Sequence, residues 1–409
     1  MNRRPLWALL ARAVVSVVAV VALMIVIPGA TKMAEFNAEL PTANSEALAK
    51  RVPSATAPTA SVAPTSNLSV TTPAEEQPGV DLPNLTAGST PPQFVIVSFD
   101  GAAENKAGIF KHWLDVAKKV DGRFSFYLSG VYILPDNRMK LNYAPPKHPR
   151  GTSAIGFADP GLVGLRIKRL SEAYRMGSEI GTHYNGHFCG LSGVGQWTTA
   201  DWTSEISQFN TLLDDWRAFN PQAASAGPLP FNSSVIRGGR TPCLEGRQSQ
   251  MYPAFKAAGH EYDTSGGGEL KWPQLDKYGL WEIPLQAIKV PGIISGRVLS
   301  MDYNFLANQN GQRLTASPER CKTIADQSYR AYANALSAVR NGNRAPLILG
   351  NHMNSWVCGA YTNGLTRFIE DTHAMDSGVR FISSLDLVRW MKAQEPALLA
   401  PWLARPVQE

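Results

Sequence analysis

Cysteine is scarce and badly spaced for metal binding. The chain has four, Cys189, Cys243, Cys321 and Cys358, and no C-x-x-C pair, so zinc held by thiolates is not expected. All four lie beyond the N-terminal apolar run, in the part that would be exported, where an oxidising compartment would permit two disulfides with three possible pairings, and spacing alone selects none. No internal repeat is evident, which argues against a solenoid. An excess of one charge is nearly missing too: 39 basic residues face 33 acidic ones, a net +6. Lys and Arg are scattered, with no aromatic-interleaved basic stripe, so no nucleic-acid partner is expected. What is present is a 44% hydrophobic composition over 409 residues, enough for one large domain and some additions.

The first addition is N-terminal. Arg3, Arg4 and Arg12 precede an apolar run from Ala13 to Gly29 that only Ser16 breaks. As a helix it would span about 25 Å, and Leu6 to Leu10 extend its apolar surface. Residues 1–30 therefore read as a membrane anchor, with a cleaved signal peptide as the alternative. The arginines before the run, against Lys32, Glu35 and Glu39 after it, place the following domain on the outer face of the cell membrane, or secrete it. Residues 31–93 are rich in Ala, Pro, Ser, Thr and Val and poor in aromatics, the composition of a disordered, flexible linker.

At Phe94 the texture changes. Strand-like runs at Phe94–Phe99, Arg123–Leu128, Ser178–Thr182, Ser234–Arg237, Leu280–Pro284, Ala345–Gly350 and Val379–Ile382 alternate with helical patterns. These helices are expected over Gly164–Arg175, Thr199–Phe219, Gln248–Ala258, Pro318–Arg340, Leu365–Met375 and Leu385–Lys392. Such alternation implies an α/β domain over 94–395 with a mainly parallel sheet, and about seven strands suggest a barrel. Residues 396–409 are left as a tail. In a parallel barrel, function collects at the C-terminal ends of the strands.

Four expected strand ends carry chemistry. The first delivers Asp100. The third is followed by His183-Tyr-Asn-Gly-His187, where a separation of four would bring both imidazoles to one face of a helical turn and onto one cation. Arg240 follows the fourth, and His352 ends another. Singly, each has an ordinary structural explanation: Asp100 as a turn or capping residue, the histidines as a surface or core pair. Three of seven histidines at strand ends are harder to explain that way. A glycoside hydrolase reading, using two carboxylates, is weaker because strand-end acids are too few and the histidine pair would go unused.

In order and spacing these motifs resemble the polysaccharide deacetylases of carbohydrate esterase family 4, the nodulation-protein-like enzymes that include chitin and peptidoglycan N-deacetylases. Ser98-Phe99-Asp100 is similar to the opening of the family's first motif. Gly177 to His187 resembles the second, Arg240-Thr241-Pro242 the Arg-x-Pro motif, and Leu349-Gly350-Asn351-His352 the closing one; Tyr262-Asp263 resembles the start of the remaining Asp motif. The likeness spans roughly Phe94 to Lys392. It implies a distorted (β/α)7-type barrel in which His183 and His187 hold a divalent metal, Zn²⁺ or else Co²⁺. It further implies Asp100 as general base, His352 as general acid, Arg240 holding Asp100, and Asp263 tuning Arg240 or His352. A backbone N–H near Cys243 would help stabilise an oxyanion, and Tyr184, Cys243 and Trp356 would line the substrate cleft; Trp272 offers another flat face. The expected partner is an N-acetylated polysaccharide, chitin-like or peptidoglycan-like.

One departure stands out. Where the family has a second Asp that completes the metal site, this chain has Gly101. Water, Glu104 from the following loop, or Asp100 itself could fill the vacancy, or the chain could be a non-catalytic glycan binder.

Overall fold

The computed structural model describes residues 73–406 apart from 294, 295 and 377. The apolar N-terminal run and most of the linker lie outside the described residues. Among those described, no helix is long and apolar enough to cross a membrane.

The sheet is organised around β1, Gln93–Gly101, a β-branched and aromatic run buried along all but its last residue. Burial on both faces is what a central parallel strand requires. On one edge it pairs in parallel with β11, Leu347–His352, in a register that sets Asp100 beside His352. Its other edge takes β12, Val379–Phe381, early and β2, Ser125–Leu128, late. From β2 the sheet continues through β3, Glu179–Thr182, β4, Gly238–Gly239, and β5, Tyr262–Asp263, then β8, Trp281–Glu282, and β7, Gln274–Leu275. All these pairings are parallel except the last.

The result is an α/β fold with a nine-stranded, curled half-barrel sheet. It does not close into the expected barrel: β11 and β7 end the strand order without pairing to each other. A single bridge, Gly350 to Met301, links β11 to the chain leaving a small second sheet. That sheet is built from β6, Gly267–Gly268, β9, Leu285–Lys289, and β10, Arg297–Leu299.

The expected strand over Ser234–Arg237 is absent. Ser233–Val235 make a 3₁₀ turn, and pairing begins only at Gly238. Close approach explains the shift, because a Cβ at Gly239 would stand 1.9 Å from the Thr182 carbonyl oxygen. Only glycine lets β4 lie this near β3 and so carry Arg240 to the site.

Helices pack around the sheet: α1, Ile109–Lys119; α2, Pro160–Arg175; α3, Thr199–Asp214; α4, Gln248–Ala257. They continue as α5, Asp302–Asn310; α6, Pro318–Asn341; α7, Trp356–Met375; α8, Ser384–Ala393; and α9, Pro396–Leu403. Thr198 and Asp201 form a reciprocal capping box at the start of α3. The first turn of α7 passes through positive φ at Val357, Cys358 and Gly359, so it has no helical periodicity to read. Neither α1 nor α5 is anticipated by the sequence pattern, and α9 occupies the expected tail with Leu399 buried.

The domain also starts earlier than composition suggests. Leu85 is buried, Gln77 donates to the carbonyls of Tyr174 and Ser178, and Trp390 donates to the Pro83 carbonyl. Residues 73–92, assigned to the linker by composition, therefore pack on the domain.

Candidate active site

Four neighbouring strand ends converge. Asp100 is the penultimate residue of β1 and His352 closes β11, while His183 and Arg240 are the first residues past β3 and β4. Asp100, His183, His187 and His352 lie within electrostatic reach of one another.

Asp100 is buried and accepts a hydrogen bond from Arg240 Nη1 at 2.7 Å. Arg240 is fully buried; its Nε donates to the Thr264 carbonyl at 3.2 Å and its guanidinium lies over the Tyr127 ring. Burial opposes the charge on Asp100. Arg240, followed by His183 and His352, more than offsets this and holds the carboxyl below the ordinary aspartate range. A carboxylate kept ionised inside a protein can accept a proton from a reacting group.

The histidine pair does not sit on a helical turn. Tyr184 and His187 both take left-handed φ, 57° and 56°, and this looped path, rather than helix geometry, brings the rings to a centroid separation of 4.9 Å. His183 Nδ1 is 2.8 Å from the Arg240 carbonyl oxygen. A carbonyl can only accept, so Nδ1 carries the hydrogen and the Nε2 lone pair is left for a ligand. Burial first, and then neighbouring groups that include His352, lower both imidazoles, His187 to about 3. Both are neutral near pH 7, the form that binds metal ions.

His352 is held differently. Its Nδ1 lies 2.7 Å from Asp302 Oδ1 and its backbone N–H donates to Asp302 Oδ2 at 2.8 Å. Burial works against its charge, but Asp302, by charge and hydrogen bond, with Asp100 behind it, raises the imidazole above its ordinary value. The ring is 20% exposed and therefore open to a reactant. Trp356 stands beside it, centroids 5.5 Å apart, and Tyr303 flanks Trp356.

Several expected roles fall to other residues. Asp263 touches neither Arg240 nor His352; it accepts from Ser265 at 2.5 Å and Tyr252 at 3.2 Å, and the partner of His352 is Asp302. Asp302 follows the three-residue strand β10, too short a run to mark a strand end in sequence. Tyr184 is no sugar platform, since its ring is buried against Trp202 and Phe255. Trp272 is likewise buried, with its indole N–H on the Asn343 carbonyl. The side chain of Cys243 is committed to a disulfide with Cys189, which ties the loop after His187 to the loop after Arg240; Cys321 pairs with Cys358.

Among the described residues, none is placed as a third metal ligand beside the histidine pair. Glu104 is fully buried at the start of α1, accepting from the backbone N–H groups of Asn105, Phe110 and Lys111 and from Arg169, so it is not available. At Gly101 the φ is +84°, and a Cβ would stand 3.1 Å from Tyr132 Cε2, so an aromatic ring occupies the side-chain space. Among the described residues, the one trio of ligand-type atoms within 4.8 Å of one another is His187, Cys189 and Cys243. Its two sulfurs are bonded to each other and offer no thiolate. The described residues thus offer a cation the two imidazoles of His183 and His187, with no third ligand atom grouped with both inside 4.8 Å.

No family model matches the chain, and no curated protein matches it. Solved structures do. A Mycobacterium smegmatis protein assigned to the polysaccharide deacetylases is 13% identical, with TM-score 0.46, covering 80% of this chain and 99% of that one. The chitin deacetylase of Colletotrichum lindemuthianum is 16% identical at TM-score 0.40, covering 75% and 90%. A mutant peptidoglycan deacetylase of Bacillus subtilis is 14% identical at TM-score 0.38, covering 76% and 96%. The known structures that this chain resembles thus include polysaccharide, chitin and peptidoglycan deacetylases.

Proposed function

We propose that this protein is a hydrolase of the polysaccharide deacetylase kind, removing acetyl groups from an N-acetylated cell-envelope or environmental polysaccharide. The observation that carries the reading is the pairing, across adjacent strands, of Asp100, held below the ordinary aspartate range by Arg240, with His352, raised by Asp302, beside the two imidazoles of His183 and His187. Amide hydrolysis needs a base to activate water and an acid to protonate the departing amine, and these two residues supply them. Asp100 takes the proton of the attacking water while Arg240 keeps the carboxylate ionised and aimed. His352 gives its proton to the leaving nitrogen, and Asp302 holds the ring in the tautomer and orientation for that transfer. Trp356 offers an apolar face beside the acid for a sugar ring. A divalent cation, Zn²⁺ or Co²⁺, held by His183 and His187, would polarise the acetyl carbonyl and make water more acidic.

The N-terminal anchor expected from the sequence would display the domain outside the cell membrane, within reach of such a substrate. The test is acetate release from N-acetylglucosamine oligomers by the full-length protein with added Zn²⁺ or Co²⁺, beside His183→Ala. Release above that control is expected; equal release would remove the enzymatic reading.

A second reading is a non-catalytic glycan-binding protein, and Gly101 with Tyr132 in its side-chain space favours it. Under that reading the same oligomers bind without turnover.

A further inference from the structure

Between His183 and His187 the chain makes an irregular loop, and something must hold it in shape. Two non-glycine residues, Tyr184 and His187, sit in the left-handed region, a conformation that L side chains avoid unless the surroundings impose it. The carbonyl groups of its apex are taken by neighbouring loops: Tyr184 O accepts the Gly130 N–H at 2.7 Å and Gly186 O accepts the Ala154 N–H at 2.8 Å. The apical N–H groups of Asn185 and Gly186 lead instead to one buried carboxylate.

That carboxylate is Glu205, on α3 and 1% exposed. Its Oε1 accepts the Asn185 backbone N–H at 3.0 Å. The Tyr143 hydroxyl donates to Glu205, 3.1 Å from each carboxylate oxygen, and in turn accepts the Gly186 backbone N–H at 3.0 Å. The backbone carbonyl of Glu205 accepts from Asn185 Nδ2 at 2.9 Å. Both amide groups at the apex, one directly and one through Tyr143, thus end on a single side chain. Burying a carboxylate is costly, and a helix position facing the core would ordinarily take an apolar residue. An acid kept there and saturated with loop hydrogen bonds has a task.

We propose that Glu205 is the positioning residue for the histidine pair, imposing through Asn185, Gly186 and Tyr143 the left-handed path that brings the two imidazoles together. The proposal deepens the functional reading above, since it names what shapes its cation site. It differs in claim, because ring placement can be measured without turnover.

The experiment uses full-length protein with ¹⁵N-labelled histidine, read by imidazole nitrogen NMR without metal and by Co²⁺ titration. In Glu205→Ala the signals of His183 and His187 are expected to move while that of His112, on α1 and hydrogen-bonded to Thr366, stays. Co²⁺ affinity should fall by roughly 10- to 100-fold, the range for losing a group that orients metal ligands. Glu205→Gln keeps an acceptor for Asn185 and should recover most of it. Glu104→Gln, which disturbs a buried acid that caps α1 and pairs with Arg169, controls for general destabilisation and should leave both readouts in place. Should Glu205→Ala not fold, Tyr143→Phe, which breaks only the relay to Gly186, carries the same expectation in reduced size. Unmoved His183 and His187 signals in the folded variants would overturn the proposal. If the wild type binds no Co²⁺, the cation part of the functional reading fails, and the NMR signals alone decide the role of Glu205.

Discussion

Asp100 and Arg240 form a buried ion pair at the centre of the site, and such pairs are costly to break from one side. Arg240→Met would leave a carboxylate buried without its partner and should destabilise the protein by about 3–5 kcal/mol at pH 7, measurable by urea unfolding. The pH dependence has a definite sign. Because the folded value of Asp100 is depressed, the stability it contributes is present above the unfolded aspartate range and is lost as pH falls through the folded value. In Arg240→Met the unpaired buried carboxylate is relieved by protonation, so the destabilisation relative to wild type should shrink as pH falls and the two should converge in acid. Gly101 gives a second residue-scale prediction. With φ at +84° and Tyr132 against the Cβ position, Gly101→Asp alone should add little Co²⁺ affinity. Gly101→Asp combined with Tyr132→Ala should bind more tightly than either single variant. Equal titration curves for all three would show that Tyr132 does not block the position.

Between elements, the disulfide Cys189–Cys243 joins the loops that follow β3 and β4, 54 residues apart in sequence. Closing a loop of that length is worth about 4 kcal/mol in the chain-entropy model. Cys189→Ser with Cys243→Ser should cost a comparable amount in thermal or urea unfolding, and should also weaken Co²⁺ binding by letting His187 drift from the Arg240 loop. Loss of stability with full Co²⁺ affinity would mean the bond serves the fold alone. These elements also show what the sequence makes legible. β1 could be read because eight consecutive buried residues leave a long β-branched and aromatic signature, and α2, α4, α6 and α8 because their apolar spacing and end residues agree. β4 could not, because its partner approaches so closely that glycines replace the apolar residues a strand pattern depends on. The start of α7 was hidden by three residues of positive φ, and β10 by its three-residue length, which concealed Asp302 behind it.

For the molecule as a whole, the site is a property of the sheet's order. β11, β1, β3 and β4 are scattered over some 250 residues of sequence, yet lie near one another in a parallel sheet, so their C-terminal ends face the same way. Motif order pointed to Asp100, His183, His187, Arg240 and His352 as neighbours, and the short spacing from His352 to Trp356 placed an aromatic ring beside them. It was not enough to predict their supporting contacts, which depend on packing across the sheet: Asp302 under His352, Glu205 under the histidine loop, Tyr132 beside Gly101. Closure of the barrel was not legible either, because the pairing of edge strands is set by contacts that strand count does not specify.

Asp100 as base and His352 as acid are both tested by one profile. Acetate release from N-acetylglucosamine oligomers, measured as kcat/KM against pH, should be bell-shaped, falling in acid as Asp100 protonates and falling in base as His352 loses its proton. Asp302→Asn removes the charge that raises His352, and should move the basic limb to lower pH while leaving the acidic limb where it was. A basic limb that this substitution leaves unmoved, or no release at any pH, would contradict the account.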